Sequence, residues 1–480
     1  MKLQKIIQQL DKKNYSILAK QLKEHKADKF MFLLSSYRQK PEKDNELYNK
    51  MDITPAAFYT LKSRLTIKVQ EFLYKSTSDT RVELLQNVAN IEHLVYKTPR
   101  ETAIGILKKL ENELINADMP NELIIVYRAL KKLHVHSQKY YEYSALYNKS
   151  VAFNLGQDKA EDLLCSFCKT LSLYYLNRNN QLLDILVLYK REMQNICKLY
   201  ESHHLHVYKN ILDIHFALFS PVKKEMKNDE TIENMLKETL SIIESHTQHP
   251  TYIHFVQIID FLYFEYYHQL KLYKNASVYH EKIADNIQAV LLYNHSSFTS
   301  HFLISTIEFA IANQNENNLY TESDLQNYEA NIEDKSSYIL FNYYKASTEF
   351  YSNHYPETIK TLTKLLNEIN FIDNPFIEIE TKLFLALLYI LNGMPVPAEN
   401  IFRSISRKMA VEKDDIKYRL SFAFTKILKV ALSSKNKTKY EKLVELNEHF
   451  NAINTGRYRV LEFIKLDETI LKSLAKYEEN

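Results

Sequence analysis

Apolar residues recur at three- and four-residue spacing along nearly the whole chain. Leu123, Ile124, Tyr127, Leu130 and Leu133–His134 make one stripe. Phe255–Ile259, Leu262, Tyr266 and Leu270 make another, and Leu383, Leu387 and Leu391 a third. Residues at i, i+3/i+4 and i+7 share one face of a helix with 3.6 residues per turn. No convincing run of β-branched residues alternates with polar ones, so the pattern predicts an all-α chain. Prolines mark the joints. Thr54-Pro55, Thr98-Pro99 and Asn374-Pro375 place a capping side chain before a proline at the first helical position. Pro120, Pro221, Pro250, Pro356 and the Pro395/Pro397 pair also fall between stripes. Other joints are polar, as in Asn177-Arg178-Asn179-Asn180 and Ser433-Ser434-Lys435-Asn436. Helices of roughly 12–22 residues with short links are expected, which makes sequence neighbours antiparallel.

Composition narrows the function. The 480 residues include 4 glycines and 10 prolines, against about 34 and 24 at average usage. Gly105, Gly156, Gly393 and Gly456 lie too far apart for a P-loop, a dinucleotide fingerprint, a nucleophile elbow or a kinase glycine loop, each of which needs clustered glycines. Gly156 follows Asn154-Leu155 like the C-cap of a helix. Lys+Arg 62 against Asp+Glu 59 gives a net charge of +3, no global reason to expect nucleic acid or an anionic membrane. Three cysteines predict a reducing compartment. The N-terminus shows no secretory pattern, and the longest apolar run, Leu383 to Leu391, is far short of the ~18 residues that span a bilayer. A soluble, cytoplasmic protein is expected.

From about residue 100 the helices pair into hairpins with a period of roughly 35–40 residues, the range of solenoids built from two-helix units. Leu385-Ala386…Tyr389…Gly393…Ala398…Phe402 is the clearest unit. Its small residues let two helices approach, and its aromatics fill the gap. This stretch resembles the tetratricopeptide repeat (TPR) family. Tyr267…Tyr273…Ala276…His280…Ile283 is similar at its late positions, with Phe264 where a small residue is usual. Phe350–Tyr355–Thr358–Leu362 is looser, and the usual tryptophan is absent. The expected fold is a right-handed α-solenoid of TPR-like hairpins over residues 99–480, with an N-terminal helical bundle over 1–98. A non-repeating helical globule is the alternative. A last helix from Leu461 to Tyr477, with Lys472, Lys476, Glu478 and Glu479 outward, fits a polar cap.

Within the bundle, residues 45–65 read as a helix-turn-helix. Leu47, Met51, Ile53, Phe58 and Leu61 would form its core and Asp52-Ile53-Thr54 its turn. Pro55–Leu65 would be the recognition helix, presenting Tyr59, Lys62 and Ser63, and it resembles bacterial repressor DNA-binding domains. Tyr48 stands where that motif has alanine, and Asp52 where it has glycine. Packing on the repeats is the competing role for this segment.

Other chemistry is weakly marked. Cys165-Ser166-Phe167-Cys168 is a C-x-x-C on an apolar helix. With Cys197, His203, His204 and His206 it could arithmetically bind zinc, but structural zinc ligands normally come from turns, and buried small hydrophobes are the simpler reading. His134/His136 and His246/His249/His254 are scattered, and Glu201-x-x-His204 lacks a second copy. Tyr140-Tyr141-x-Tyr143, Tyr174-Tyr175 and Tyr343-Tyr344 suit inter-helix packing. No nucleophile, metal set, cofactor motif or small-molecule site stands out. The expected function is therefore a non-enzymatic scaffold for a protein or peptide, bound on the concave face of the repeats. In the Tyr267 unit Ile258, Phe261, Glu265, His268 and Gln269 would face the partner, or else the neighbouring repeat. The alternative is a transcriptional regulator in which residues 45–65 read DNA and the repeats sense a partner.

Overall fold

The computed structural model describes residues 3, 6–7, 10, 12–24, 27–39, 44–76, 80–177, 179–220, 231–246, 251–287, 298–319, 330–372, 374–409, 416–433, 438–455 and 459–475. Among them the regular elements are α1 (Lys12–Glu24), α2 (Asp28–Gln39), α3 (Asp44–Lys50), α4 (Pro55–Ser76), α5 (Thr80–Ala89), α6 (Ile91–Lys97), α7 (Arg100–Asn116), α8 (Pro120–Leu133), α9 (Lys139–Asn177), α10 (Asn180–Leu199) and α11 (His203–Phe219). There follow α12 (Ile232–Ser245), α13 (Tyr252–Gln269), α14 (Tyr273–Ala284), α15 (Phe298–Ala312), a 3₁₀ turn (Glu316–Asn318), α16 (Lys335–Tyr351), α17 (Tyr355–Glu368), α18 (Pro375–Leu391), α19 (Pro395–Met409), α20 (Ile416–Leu432), α21 (Lys439–Ile453) and α22 (Glu468–Ala475). No strand occurs among the described residues, and none of their helices is long and apolar enough to cross a membrane.

Consecutive helices pack on one another from α7 to α14 and again from α15 to α22. One turn geometry recurs between them. Asp118, Lys271, Asn353 and Gly393 sit in left-handed backbone, with φ of 51°, 59°, 59° and 70°. In each case the next amide donates to the carbonyl five residues back. Met119 bonds Leu114 at 3.0 Å, Leu272 bonds Tyr267 at 2.9 Å, His354 bonds Glu349 at 2.9 Å and Met394 bonds Tyr389 at 2.7 Å. Asp52 and Gln314 repeat the pattern, with Ile53 to Tyr48 and Asn315 to Ala310. This is the Schellman cap, whose left-handed residue is usually glycine. Here a single cap of the six uses glycine. Asp and Asn tolerate the conformation through their short polar side chains, while a side chain such as Lys271 or Gln314 costs roughly 1–2 kcal/mol. The caps at Lys271, Gln314, Asn353 and Gly393 lie about 40 residues apart.

Small residues sit where the hairpins close. Ala276, Thr358, Ala386 and Ala398 have no exposed surface. Among the described residues three separate buried clusters occur, running from Leu3 to Phe72, from Val88 to Tyr143 and from Ala160 to Leu474. The second crosses residue 98, because α5 and α6 pack on α7 and α8.

Two local expectations are corrected. Gly156 does not end a helix but lies inside the 39-residue α9. A Cβ there would come within 2.8 Å of Tyr200 Cε2, so the glycine serves a close approach rather than a cap. The final helix does not begin at Leu461. It starts at Glu468, where the Asp467 carboxylate accepts from the Ile470 amide at 2.8 Å. Gly456, Lys476, Tyr477, Glu478 and Glu479 lie outside the described residues.

Candidate functional site

The chain that was expected to open the last helix instead runs non-helically through the interior. Val460, Leu461, Phe463 and Leu466 are all buried, and Leu461 takes left-handed backbone with φ 55°. Four helices distant in sequence receive this segment. The C-terminal part of α9 touches both α16 and α18, and residues 459–466 lie where these meet α15.

Its backbone is held by side chains. Asn454 clamps Val460 from both sides, donating to its carbonyl at 2.9 Å and accepting from its amide at 2.8 Å. The Leu461 N–H donates to Glu380 Oε1 at 2.6 Å, and the Lys465 N–H donates to the Tyr351 hydroxyl at 2.9 Å. Asn447 Nδ2 donates to the Leu466 carbonyl at 3.1 Å. Buried backbone groups outside a ladder need such partners, or each costs about 1–3 kcal/mol.

The Phe463 ring stacks on Tyr343 with centroids 4.5 Å apart and lies 5.8 Å from Phe384. Tyr343 is itself fixed from α18, by the Thr381 hydroxyl at 2.7 Å and the Ile377 carbonyl at 3.3 Å. One ion pair ties the segment to α15. Arg459 meets Glu308 of α15 and lies 3.7 Å from Glu462. Glu462 accepts from the Tyr175 hydroxyl of α9. Burial raises the Glu462 carboxyl to about 8, since a low-polarity surrounding favours the neutral acid. A residual cavity of about 20 Å³ remains among these side chains, room for about one water.

The five residues expected to face a partner divide. Ile258, Phe261 and Glu265 are buried. The Phe261 ring lies parallel to Phe219 of α11, with centroids 6.0 Å apart, and edge-on to Phe302 of α15. These contacts belong to neighbouring helices and offer no surface to a partner. Glu265 is bonded by Ser305 and Gln269, and burial with the nearby Glu308 raises its carboxyl to about 8. His268 lies flat against Phe264 at 5.6 Å. Burial and the Arg459 charge lower it to about 4. Gln269 is exposed at its helix end and donates to the Leu218 carbonyl at 3.2 Å. Glu265 and His268 thus border the Arg459 end of the groove.

No family of known proteins, no curated protein and no solved structure matches the chain.

In the N-terminal segment α3 and α4 meet around the Asp52 turn. Tyr48 fits between them by placing its ring edge-on to Phe58, 6.0 Å away. The Thr54 hydroxyl accepts from the Ala57 amide at 3.4 Å. Tyr59 and Ser63 are exposed on α4, with Thr60, Arg64 and Lys68 beside them. Lys62 is engaged within the bundle, its ammonium 6.0 Å from the Tyr59 ring centre. It pairs with Asp44 at 2.7 Å, and the Tyr37 hydroxyl donates to the same carboxylate at 3.1 Å.

The cysteines and histidines are dispersed. Cys165 and Cys168 lie on α9 and Cys197 on α10, all as free thiols. Burial raises Cys168 to about 12 and Cys197 to about 11. His203 bonds Asp118 at 2.8 Å and stacks on His246 at 3.8 Å. His204 meets Gln157 at 2.6 Å and His206 meets Glu238 at 3.1 Å. His134 stacks on Tyr143, while His249 lies outside the described residues. Among the described residues no three His, Cys, Asp or Glu side chains gather as metal ligands would.

Glu380, Tyr351, Glu308, Arg459 and Phe463 are the groove residues that sequence reasoning missed. Their contacts span 79 to 151 residues of chain, beyond any local period. One local signal points the other way. Leu461, Ile464 and Leu471 satisfy helical spacing, and the pattern cannot show that Glu380 and Tyr351 capture the intervening amides.

Proposed function

We propose that residues 99–480 form a right-handed α-solenoid of tetratricopeptide-like hairpins and act as a non-enzymatic scaffold. In this reading its inner face binds an extended segment of a protein or peptide partner. One observation carries it: the face built by α9, α15, α16 and α18 already holds a non-helical stretch, residues 459–466. Side chains satisfy its backbone, and an aromatic slot takes its phenylalanine. Extended peptides are recognised elsewhere by the same division of labour, with bonds to the peptide backbone giving affinity and pockets for side chains giving specificity. The test is affinity capture with the full chain as bait, followed by quantitative mass spectrometry. A partner enriched by wild type and lost with Tyr343→Ala is expected. Recovery of nothing above an unrelated helical bait refutes the reading.

A second reading, a transcriptional regulator whose α4 reads DNA, is favoured by the solvent-facing Tyr59–Ser63–Arg64 surface beside the Asp52 turn. It predicts a gel shift at low salt that Arg64→Glu abolishes, with binding falling steeply as salt rises. A wild-type protein that shifts no DNA at low salt ends it.

A further inference from the structure

Residues 459–466 are attached to the groove differently from the rest of the interior. Helices hold their own backbone bonds, whereas this segment has traded them for contacts to Glu380, Tyr351, Asn447 and Asn454. Leu461 is kept in left-handed backbone, a conformation that persists in a leucine only when its surroundings impose it. Leaving breaks no backbone bonds of a helix and relieves Leu461, at the cost of exposing Val460, Leu461, Phe463 and Leu466, which are all buried when it is docked. What it would uncover is chemically defined. Tyr343 and Phe384 form an aromatic slot, Glu380 and Tyr351 accept from two amides four residues apart, and Glu308 is the acid that Arg459 meets.

Resting on the scaffold reading above, we propose that residues 459–466 are a built-in competitor for the partner site. The partner is an extended peptide of matching chemistry: a basic residue, two aliphatic residues, then an acid followed directly by an aromatic. Its access is gated by the fraction of molecules in which the native segment is undocked. A tethered segment competes at high effective concentration, and the apparent affinity of the partner falls in proportion to the open fraction.

The experiment uses a fluorescein-labelled synthetic peptide with the sequence of residues 457–467, titrated by anisotropy into the full-length protein. Wild type is compared with a Leu461→Ala/Phe463→Ala variant whose own segment is weakened. The variant is expected to bind the peptide at least tenfold more tightly than wild type. A peptide with alanine in place of its phenylalanine is expected not to bind, and neither is wild-type peptide to the variant carrying Tyr343→Ala as well. Equal or absent binding by a variant that keeps the wild-type circular dichroism overturns the proposal. A variant that does not fold also overturns it, because the segment is then core. Native-state hydrogen exchange on unaltered protein gives an independent measurement. The Leu461 and Lys465 amides are expected to exchange at least a hundredfold faster than mid-helix amides of α16 and α18, and equal protection overturns the proposal. If wild type captures a cellular partner and the weakened variant captures it no better, the scaffold stands and the competitor falls.

Discussion

Replacing Glu265 by glutamine changes the shape of one buried side chain very little and removes its ability to ionise. Glu265 is 3% exposed. Its carboxyl is raised from the ordinary 4.5 to about 8, first by burial, with Glu308 adding repulsion and the Ser305 and Gln269 bonds opposing. The sign follows from linkage. Below about pH 4.5 the carboxyl is protonated in both folded and unfolded chains and takes nothing from stability. Above that, the unfolded chain releases the proton while the folded one retains it, so stability is lost as the pH climbs toward 8. Each unit of difference is about 1.4 kcal/mol, which sets an upper bound on the order of 5 kcal/mol for the whole window. Glu265→Gln escapes that loss. Urea titrations followed by far-UV circular dichroism at pH 5 and pH 8 test it. The variant is expected to match wild type within about 1 kcal/mol at pH 5 and to exceed it by roughly 3 kcal/mol or more at pH 8. An advantage of the same size at both pH values refutes the reasoning, because the folded protein would then be holding an ionised carboxylate.

Three further outcomes can be checked with simple variants or reagents. Nothing lies within 4 Å of the Cβ that Gly105→Ala would add on α7, whereas the Cβ of Gly156→Ala lands on Tyr200. Thermal melts should show Gly105→Ala more stable by up to about 1 kcal/mol, the helix-interior preference for alanine, and Gly156→Ala neutral or less stable; equal gains would count against the Tyr200 contact. Gly393→Ala should destabilise by roughly 1–2 kcal/mol, since φ is 70° there, and Gly393→Asn by less; no loss from alanine would mean that the turn relaxes. Cys168, buried and raised to about 12, should react with a disulfide reagent at pH 8 at least a hundredfold more slowly in native protein than in guanidinium, and native reaction at the free-thiol rate would refute its burial.

Much of the helical architecture is legible because its causes are local. A stripe at 3.6-residue spacing forms a helix wherever it can be buried, and Thr54-Pro55, Asn374-Pro375 and Pro120 mark starts that the structure reproduces. The Ala386–Gly393–Ala398 hairpin is legible for the same reason: its small residues flank the left-handed turn closely in sequence. The same turn at Asp118, Lys271, Gln314 and Asn353 is less so, because its hydrogen bonds depend on the backbone and four different side chains adopt it.

The chain by itself determined that it is helical and that glycine-built phosphate sites are absent, because period and composition are properties of neighbours in sequence. It also placed candidate residues on one helix, but not the helix that would cover them. Ile258 and Phe261 are buried because α11 and α15 arrive beside α13, and nothing within α13 encodes that arrival. The largest difference lies at Leu461. Its flanking sequence has the spacing of a helix, yet its amide bonds Glu380, 81 residues away, and the Lys465 amide, which a helix starting at Leu461 would turn back to Leu461, bonds Tyr351, 114 residues from it. A helix also pairs its own amides, so local pattern alone does not separate the two outcomes. Only the tertiary structure, which brings those acceptors together with the Tyr343 ring, decided that this stretch fills a groove.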